Sequence, residues 1–153
     1  MRQVLATELP AGLEFPPGFG HPALCLPGVL AIQGPPSTQG RGENDQLLDL
    51  FCSFYRERDS FDGFPLIVIC DDSTFTAATL NNFLWTTFTR SNPATDIYGI
   101  RPETRGRHWG CSGPLVIDAR IKPFHAPPLV DDPAVERTID ALAAPGAPLH
   151  GIF

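Results

Sequence analysis

His108 and Cys111 stand three residues apart, the spacing of a metal-ligand pair or of a thiol beside a general base. Neither chemistry is complete in the sequence. Zinc takes three or four ligands and no second pair follows at similar spacing, so no metal site is assigned; a Cys–His nucleophile needs a third group to orient the imidazole, and none can be named. Arg101, Arg105 and Arg107 share the same stretch. Guanidinium groups hold carboxylates and phosphates through paired hydrogen bonds, so these three form a candidate anion clamp, with a solvated arginine-bearing loop as the alternative. Asp71 and Asp72 end an apolar run, where parallel sheets place ligands, but acidic residues ahead of a helix more commonly cap it.

The elements that must position these residues follow from the apolar pattern. Short apolar runs at Gly28–Ile32, Pro65–Cys70 and Pro114–Ala119 alternate with helical patterns, the signature of βαβ units on a mainly parallel or mixed sheet. Asp45 caps a helix whose apolar residues Leu47, Leu48, Leu50, Phe51, Phe54 and Tyr55 recur at three- and four-residue spacing. A second helix starts at Ser73 or Thr74, runs through Phe75, Leu80, Phe83, Leu84 and Phe88, buries Trp85 against the sheet, and ends at Ser91-Asn92-Pro93. Residues 96–113 read as one long loop, whose start would be fixed by an Arg90–Asp96 ion pair across the Pro93 turn. A last helix runs from Pro133 to about Ala144, capped by Asp131 or Asp132, with Leu129, Val135, Ile139 and Leu142 facing inward. Residues 1–23, with four prolines, read as an extended arm whose Leu13, Phe15 and Phe19 lie across the domain or a neighbouring subunit; residues 24–153 form a single α/β domain.

Composition narrows the function. The 153 residues suit one core, and a formal net charge of −6 with scattered basic residues excludes an electrostatic footprint for nucleic acid. No apolar run approaches the roughly 20 residues that span a bilayer, and no basic, then apolar leader opens the chain, which gives the expectation of a cytoplasmic protein with no membrane partner. Cys25, Cys52, Cys70 and Cys111 lack CxxC pairing and read as reduced thiols.

The stretches Phe64–Asp72 (FPLIVICDD), Asn82–Asp96 (NFLWTTFTRSNPATD), His108–Cys111 (HWGC), Val116–Arg120 (VIDAR) and Lys122–Pro127 (KPFHAP), taken in order, resemble the C-terminal domain of the UbiD family, carboxy-lyases related to 3-octaprenyl-4-hydroxybenzoate decarboxylase. Leu26–Val29 (LPGV) is similar to the strand that opens that domain. The resemblance implies a three-layer α/β/α fold. Family enzymes hold a prenylated flavin (prenylated FMN) and a metal ion in a separate N-terminal and central region that carries the catalytic residues, and nothing here corresponds to that region. The expectation is therefore an accessory chain with no catalytic residue of its own and no cofactor bound alone, which pairs with itself, most simply as a dimer, and caps a UbiD-type catalytic chain. The stretch after TR-x-x-P-x-x-D lies near the family's substrate pocket; here that is Ile97–Ser112, which would make Arg101, Arg105, Arg107, His108 and Cys111 substrate-facing. Trp85, Arg90, Asp96, Asp118 and Arg120 carry the structural part of the motif. The alternative is a small-molecule-binding protein or enzyme that uses the 97–112 cleft for itself. Two departures stand out: Ser37–Arg58 reads as loop and helix without an intervening strand, and His125 is single, preceded by Phe124, where some relatives carry two histidines.

Overall fold

The computed structural model describes residues 4–127, 130 and 132–152. Its centre is a five-stranded mixed sheet in the order β1 (Gly20–Leu26), β2 (Val29–Gln33), β3 (Leu66–Cys70), β7 (Leu115–Asp118), β4 (Ile97–Gly99). The three inner strands β2, β3 and β7 run parallel, Ala31 beside Val68 and Val68 beside Ile117, while β1 and β4 close the two edges antiparallel. The inner strands are the apolar runs of the sequence, buried as such runs must be when both sheet faces are covered.

Alternation along the strands divides the core. Leu30, Ile32, Ile67, Ile69 and Val116 pack with Leu48, Phe51, Cys52 and Tyr55 of α1 (Gln46–Phe54) and its C-cap; Val68 and Ala119 pack with Phe83 of α3 (Leu80–Arg90). Each fully buried large apolar side chain of this kind contributes about 1.5–3 kcal/mol. Residues 4–19 take part as well. Ala6, Leu13, Phe15 and Phe19 pack on the α1 side of the core, the Phe19 ring sits 4.8 Å from that of Phe51, and the Ala6 amide donates to the Gly63 carbonyl.

Four elements differ from the sequence reading. Strand β1 begins at Gly20, inside the stretch expected to be an arm. It tolerates Pro22 because it is an edge strand with a register shift between Gly20 and Ala23, so no ladder bond is lost. The long helix is two: α2 (Ser73–Ala78), capped by Asp72, and α3, separated by Thr79, which is extended (φ −147°, ψ 158°) and caps α3 with its own hydroxyl. The expected loop at 96–113 contains β4 and a two-stranded hairpin, β5 (Pro102–Arg105) and β6 (His108–Cys111), closed by a two-residue turn with Gly106 at φ 63°. Helix α4 (Pro133–Ala143) forms, capped by Asp132 with Pro133 in its first turn, but it has no buried residue: Val135, Ile139 and Leu142 are exposed rather than inward. Leu129, Asp131 and Phe153 lie outside the described residues.

Candidate functional site

The carboxyl ends of the inner strands are the place where an open α/β sheet holds a ligand. Here that place is filled by the chain's own charges. Asp118 ends β7 and Arg120 follows two residues later, both fully buried. The Arg120 guanidinium donates to both Asp118 oxygens (2.8 and 2.9 Å), to Asp45 Oδ2 and to the Pro35 carbonyl (2.8 Å). Two residues on, Lys122 Nζ, also buried, donates to Asp96 Oδ2 (3.0 Å) and to the carbonyls of Asp118 (2.8 Å) and Arg90 (3.1 Å). Asp96 further accepts from the Asn92 amide (2.7 Å), Thr95 and Gln39.

Local rules explain how each member arrives. Asp45 is the N-cap of α1, accepting from the Leu47 amide at 2.8 Å, so its carboxylate sits at a helix N-terminus, where negative charge is favoured. The Tyr98 hydroxyl accepts from the Asp45 amide at 2.7 Å and ties β4 to the same cap. Gly34 allows the approach: a Cβ there would come within 2.7 Å of Ile69 and 3.0 Å of Arg120 Cδ. Three carboxylates and two cations share the cluster. Burial pushes the Asp96 carboxyl up, but hydrogen bonds from the Asn92 amide and Lys122 outweigh it and hold the pKa below the usual value. For Arg120, burial disfavours the charge and the Asp118 carboxylate more than restores it, so the guanidinium pKa is raised. His125 accepts the Lys122 amide at Nδ1, and its pKa is lowered by burial and by the Lys122 charge.

Asp71 and Asp72 divide as capping predicts: Asp72 accepts from the Phe75 amide (2.9 Å) and starts α2, while Asp71 takes the Arg90 guanidinium (3.0 Å) and the Ile121 amide (2.9 Å). The expected Arg90–Asp96 pair is therefore not formed. Lys122 reaches Asp96 from the core, and Arg90 turns instead to the end of β3. Trp85, expected to be buried, is 51% exposed; its ring meets Phe75 edge-on at 6.1 Å and carries the Arg90 guanidinium 4.8 Å above its face. Phe83, two residues earlier, takes the sheet-facing place.

The candidate substrate-facing residues do not converge. Arg101, at φ 55°, pairs with Asp59 (2.9 Å) at the base of the hairpin, while Arg105, pairing with Glu103 (3.0 Å), and Arg107 lie at its exposed tip, roughly 13 Å along the strand at the usual rise. His108 and Cys111, an odd number of residues apart on β6, face opposite sides, which removes the paired-ligand and nucleophile readings. Arg101 and Cys111 do share a cavity of about 600 Å³ with Arg58, Asp59, Phe61 and Ser112. The Cys111 thiol points at the Gly113 carbonyl (3.3 Å), and burial raises its pKa; burial likewise raises Cys52 to about 12 and Cys25 and Cys70 to about 11, so these are protonated thiols at neutral pH. Among the described residues no group of three metal-ligating side chains occurs, all four cysteines are free, and no helix is long and apolar enough to cross a membrane.

The sequence reading missed Lys122 and Gln39 as members of the buried cluster. Asp118, Arg120 and Lys122 follow the buried strand at two-residue spacing, which puts all three on one side of an extended chain, but that spacing alone does not tell a buried side from a solvated one.

No protein-family model matches the chain. A solved structure of the vanillic acid decarboxylase of Sedimentibacter hydroxybenzoicus aligns with 75% of this chain and 27% of its own, at 18% identity and a TM-score of 0.39. An uncharacterized protein of Chlamydia muridarum is 36% identical over 61 residues, which is 40% of this chain and 10% of that protein. A 4-hydroxybenzoate decarboxylase subunit of Chlamydia pneumoniae is 32% identical over 77 residues, half of this chain and 13% of that protein. The chain is thus related, through a segment that is a small fraction of the relative's length, to part of a decarboxylase.

Proposed function

We propose that this chain is an accessory domain of a UbiD-type decarboxylase, which assembles with a flavin-bearing catalytic chain and caps its pocket. The observation that carries the reading is the filled strand end. The position where this sheet type would hold a ligand is occupied by Arg120, Lys122 and three aspartates in mutual contact, an arrangement that fixes loops and leaves little room for chemistry. The likeness of half the chain to part of a decarboxylase supplies the partner class. On this reading the helices on the two sheet faces form the outer layers of a three-layer α/β/α domain, the chain works in the cytoplasm as a homo-oligomer, and prenylated FMN belongs to the partner. Purified alone, the protein is expected to show no flavin absorbance after dialysis; a stoichiometric flavin band would overturn the accessory reading.

A second reading is favoured by one observation. The cavity beside Arg101 and Cys111 is mainly polar, with Arg58, Asp59, Asp62 and Arg101 on its rim, and two guanidinium groups there suit a small carboxylate. Saturable binding of a small aromatic acid by the isolated chain, abolished by Arg101→Ala, would establish it; no binding at millimolar concentration would exclude it.

A further inference from the structure

A second cavity, of about 620 Å³, lies between α1, β4 and the β5–β6 ribbon. Its α1 wall carries Asp49, Cys52 and Arg56, whose spacings of three and four residues put them along one helix face with Cys52 between the two charges. Arg56 holds that line past the C-cap because its amide still donates to the Ser53 carbonyl (3.1 Å). The ribbon forms another wall, where strand pairing and alternation put Pro102 and Trp109 on one side. Trp109 is 49% exposed, and the edge of its ring stands 3.3 Å from where a Gly99 side chain would begin. The Cys52 thiol lies against the Gly99 backbone amide. The indole therefore sits near the middle of the cavity, with a carboxylate one helical turn before it and a guanidinium one turn after. Both charges are free to act on a ligand. Arg58, Arg101 and Arg105 are each tied to a carboxylate, whereas among the described residues neither Asp49 nor Arg56 takes part in an ion pair.

We propose that this cavity binds a small zwitterion of the ω-amino acid type, with its ammonium group at Asp49, its carboxylate at Arg56 and its methylene body across the Trp109 ring. The inference goes beyond the accessory role and is independent of it. The volume lies within the range of small-molecule sites. Length sets the ligand class. Seven residues of helix separate the backbones of Asp49 and Arg56 by roughly 10 Å, so a ligand whose charges stand roughly 7 Å apart along an extended chain meets both side chains. An α-amino acid carries its two charges on one carbon and reaches a single end. Charge type sets the orientation, because a guanidinium holds a carboxylate through paired hydrogen bonds and a carboxylate accepts from an ammonium group. The indole face supplies the apolar contact that the body between the charges needs. A simple anion or a simple cation would leave one of the two charges unused.

The test is titration of the full chain, labelled with nitrogen-15, with 6-aminohexanoate, hexanoate and hexylamine, following the Trp109 indole N–H signal by NMR. Trp85→Phe assigns that signal, since the chain has two tryptophans. The expected result is saturable binding of 6-aminohexanoate with a dissociation constant on the order of 1 mM, and binding of each singly charged compound about 5-fold weaker or more. Asp49→Asn should bring 6-aminohexanoate down to the level of hexanoate, Arg56→Gln should bring it down to the level of hexylamine, and Trp109→Ala should abolish binding followed by calorimetry. All three side chains are exposed, so circular dichroism and the melting midpoint should match the wild type and separate binding from folding. Arg101→Ala, in the neighbouring cavity, should change nothing, which keeps this site distinct from the carboxylate pocket there. No saturable shift up to about 20 mM would overturn the proposal. So would 6-aminohexanoate binding no tighter than both singly charged compounds, or binding that either Asp49→Asn or Arg56→Gln leaves unchanged.

Discussion

The Arg120 side chain has all three of its nitrogens in use, on two carboxylates and a carbonyl, with none of its surface in water. Removing one member of such a buried group strands the others, and the loss is the cost of an uncompensated charge rather than of a contact. Arg120→Met, which keeps much of the volume, should lower unfolding free energy by about 3–5 kcal/mol in urea titration, enough to threaten a domain of ordinary stability. A loss under about 1 kcal/mol would mean that the cluster is solvated. Asp96 adds a pH signature. Its folded pKa is lowered, so its contribution is present above the ordinary carboxylate value of about 3.9 and is lost as pH falls through the lower folded value. Between about pH 4 and pH 2 the wild type should therefore lose more stability than Asp96→Asn; equal losses would contradict the assignment.

At the scale of elements, the inner strands were legible because both faces are covered and the runs are continuously apolar, and Asp45 was legible as a cap because its side chain has one short-range task. Strand β1 was hidden by Pro22, and the hairpin by composition, since PETR and HWGC on an exposed two-stranded ribbon have no buried face to impose alternation. The break at Thr79 and the exposure of Trp85 share a cause: once α3 restarts with its own cap, its register turns Phe83 toward the sheet and Trp85 away from it. Of the candidate site, Asp96, Asp118 and Arg120 were legible as structural residues, but their partners were not, because spacing along a chain does not reveal which buried cation reaches a carboxylate across the fold. Gly34→Ala should cost about 1–3 kcal/mol, because its methyl would overlap Ile69 and press on Arg120, the cost range of overpacking; a denaturation midpoint equal to that of the wild type would show that the neighbours yield freely. The triple change Arg105→Ala, Arg107→Ala, His108→Ala at the hairpin tip should leave thermal stability unchanged within about 0.5 kcal/mol, since none of the three is buried.

At the scale of the whole molecule, the chain joins a tightly fixed interior to a poorly covered exterior. Buried ion pairs hold the loops after β2 and β7 and the start of β4 in one arrangement, while α3 and α4 present apolar surface that a lone domain has no reason to keep. That combination suits a part built for assembly, which under the proposed function is assembly with a decarboxylase chain. The most direct measurement is purification of the tagged full chain from its native host, with mass spectrometry and absorbance on the same eluate. The expected result is a larger chain at fixed stoichiometry, carrying a flavin absorbance band that stays with it when the two are separated. Recovery of this chain alone under gentle conditions, or a flavin band that follows the 16.6 kDa chain, would contradict it.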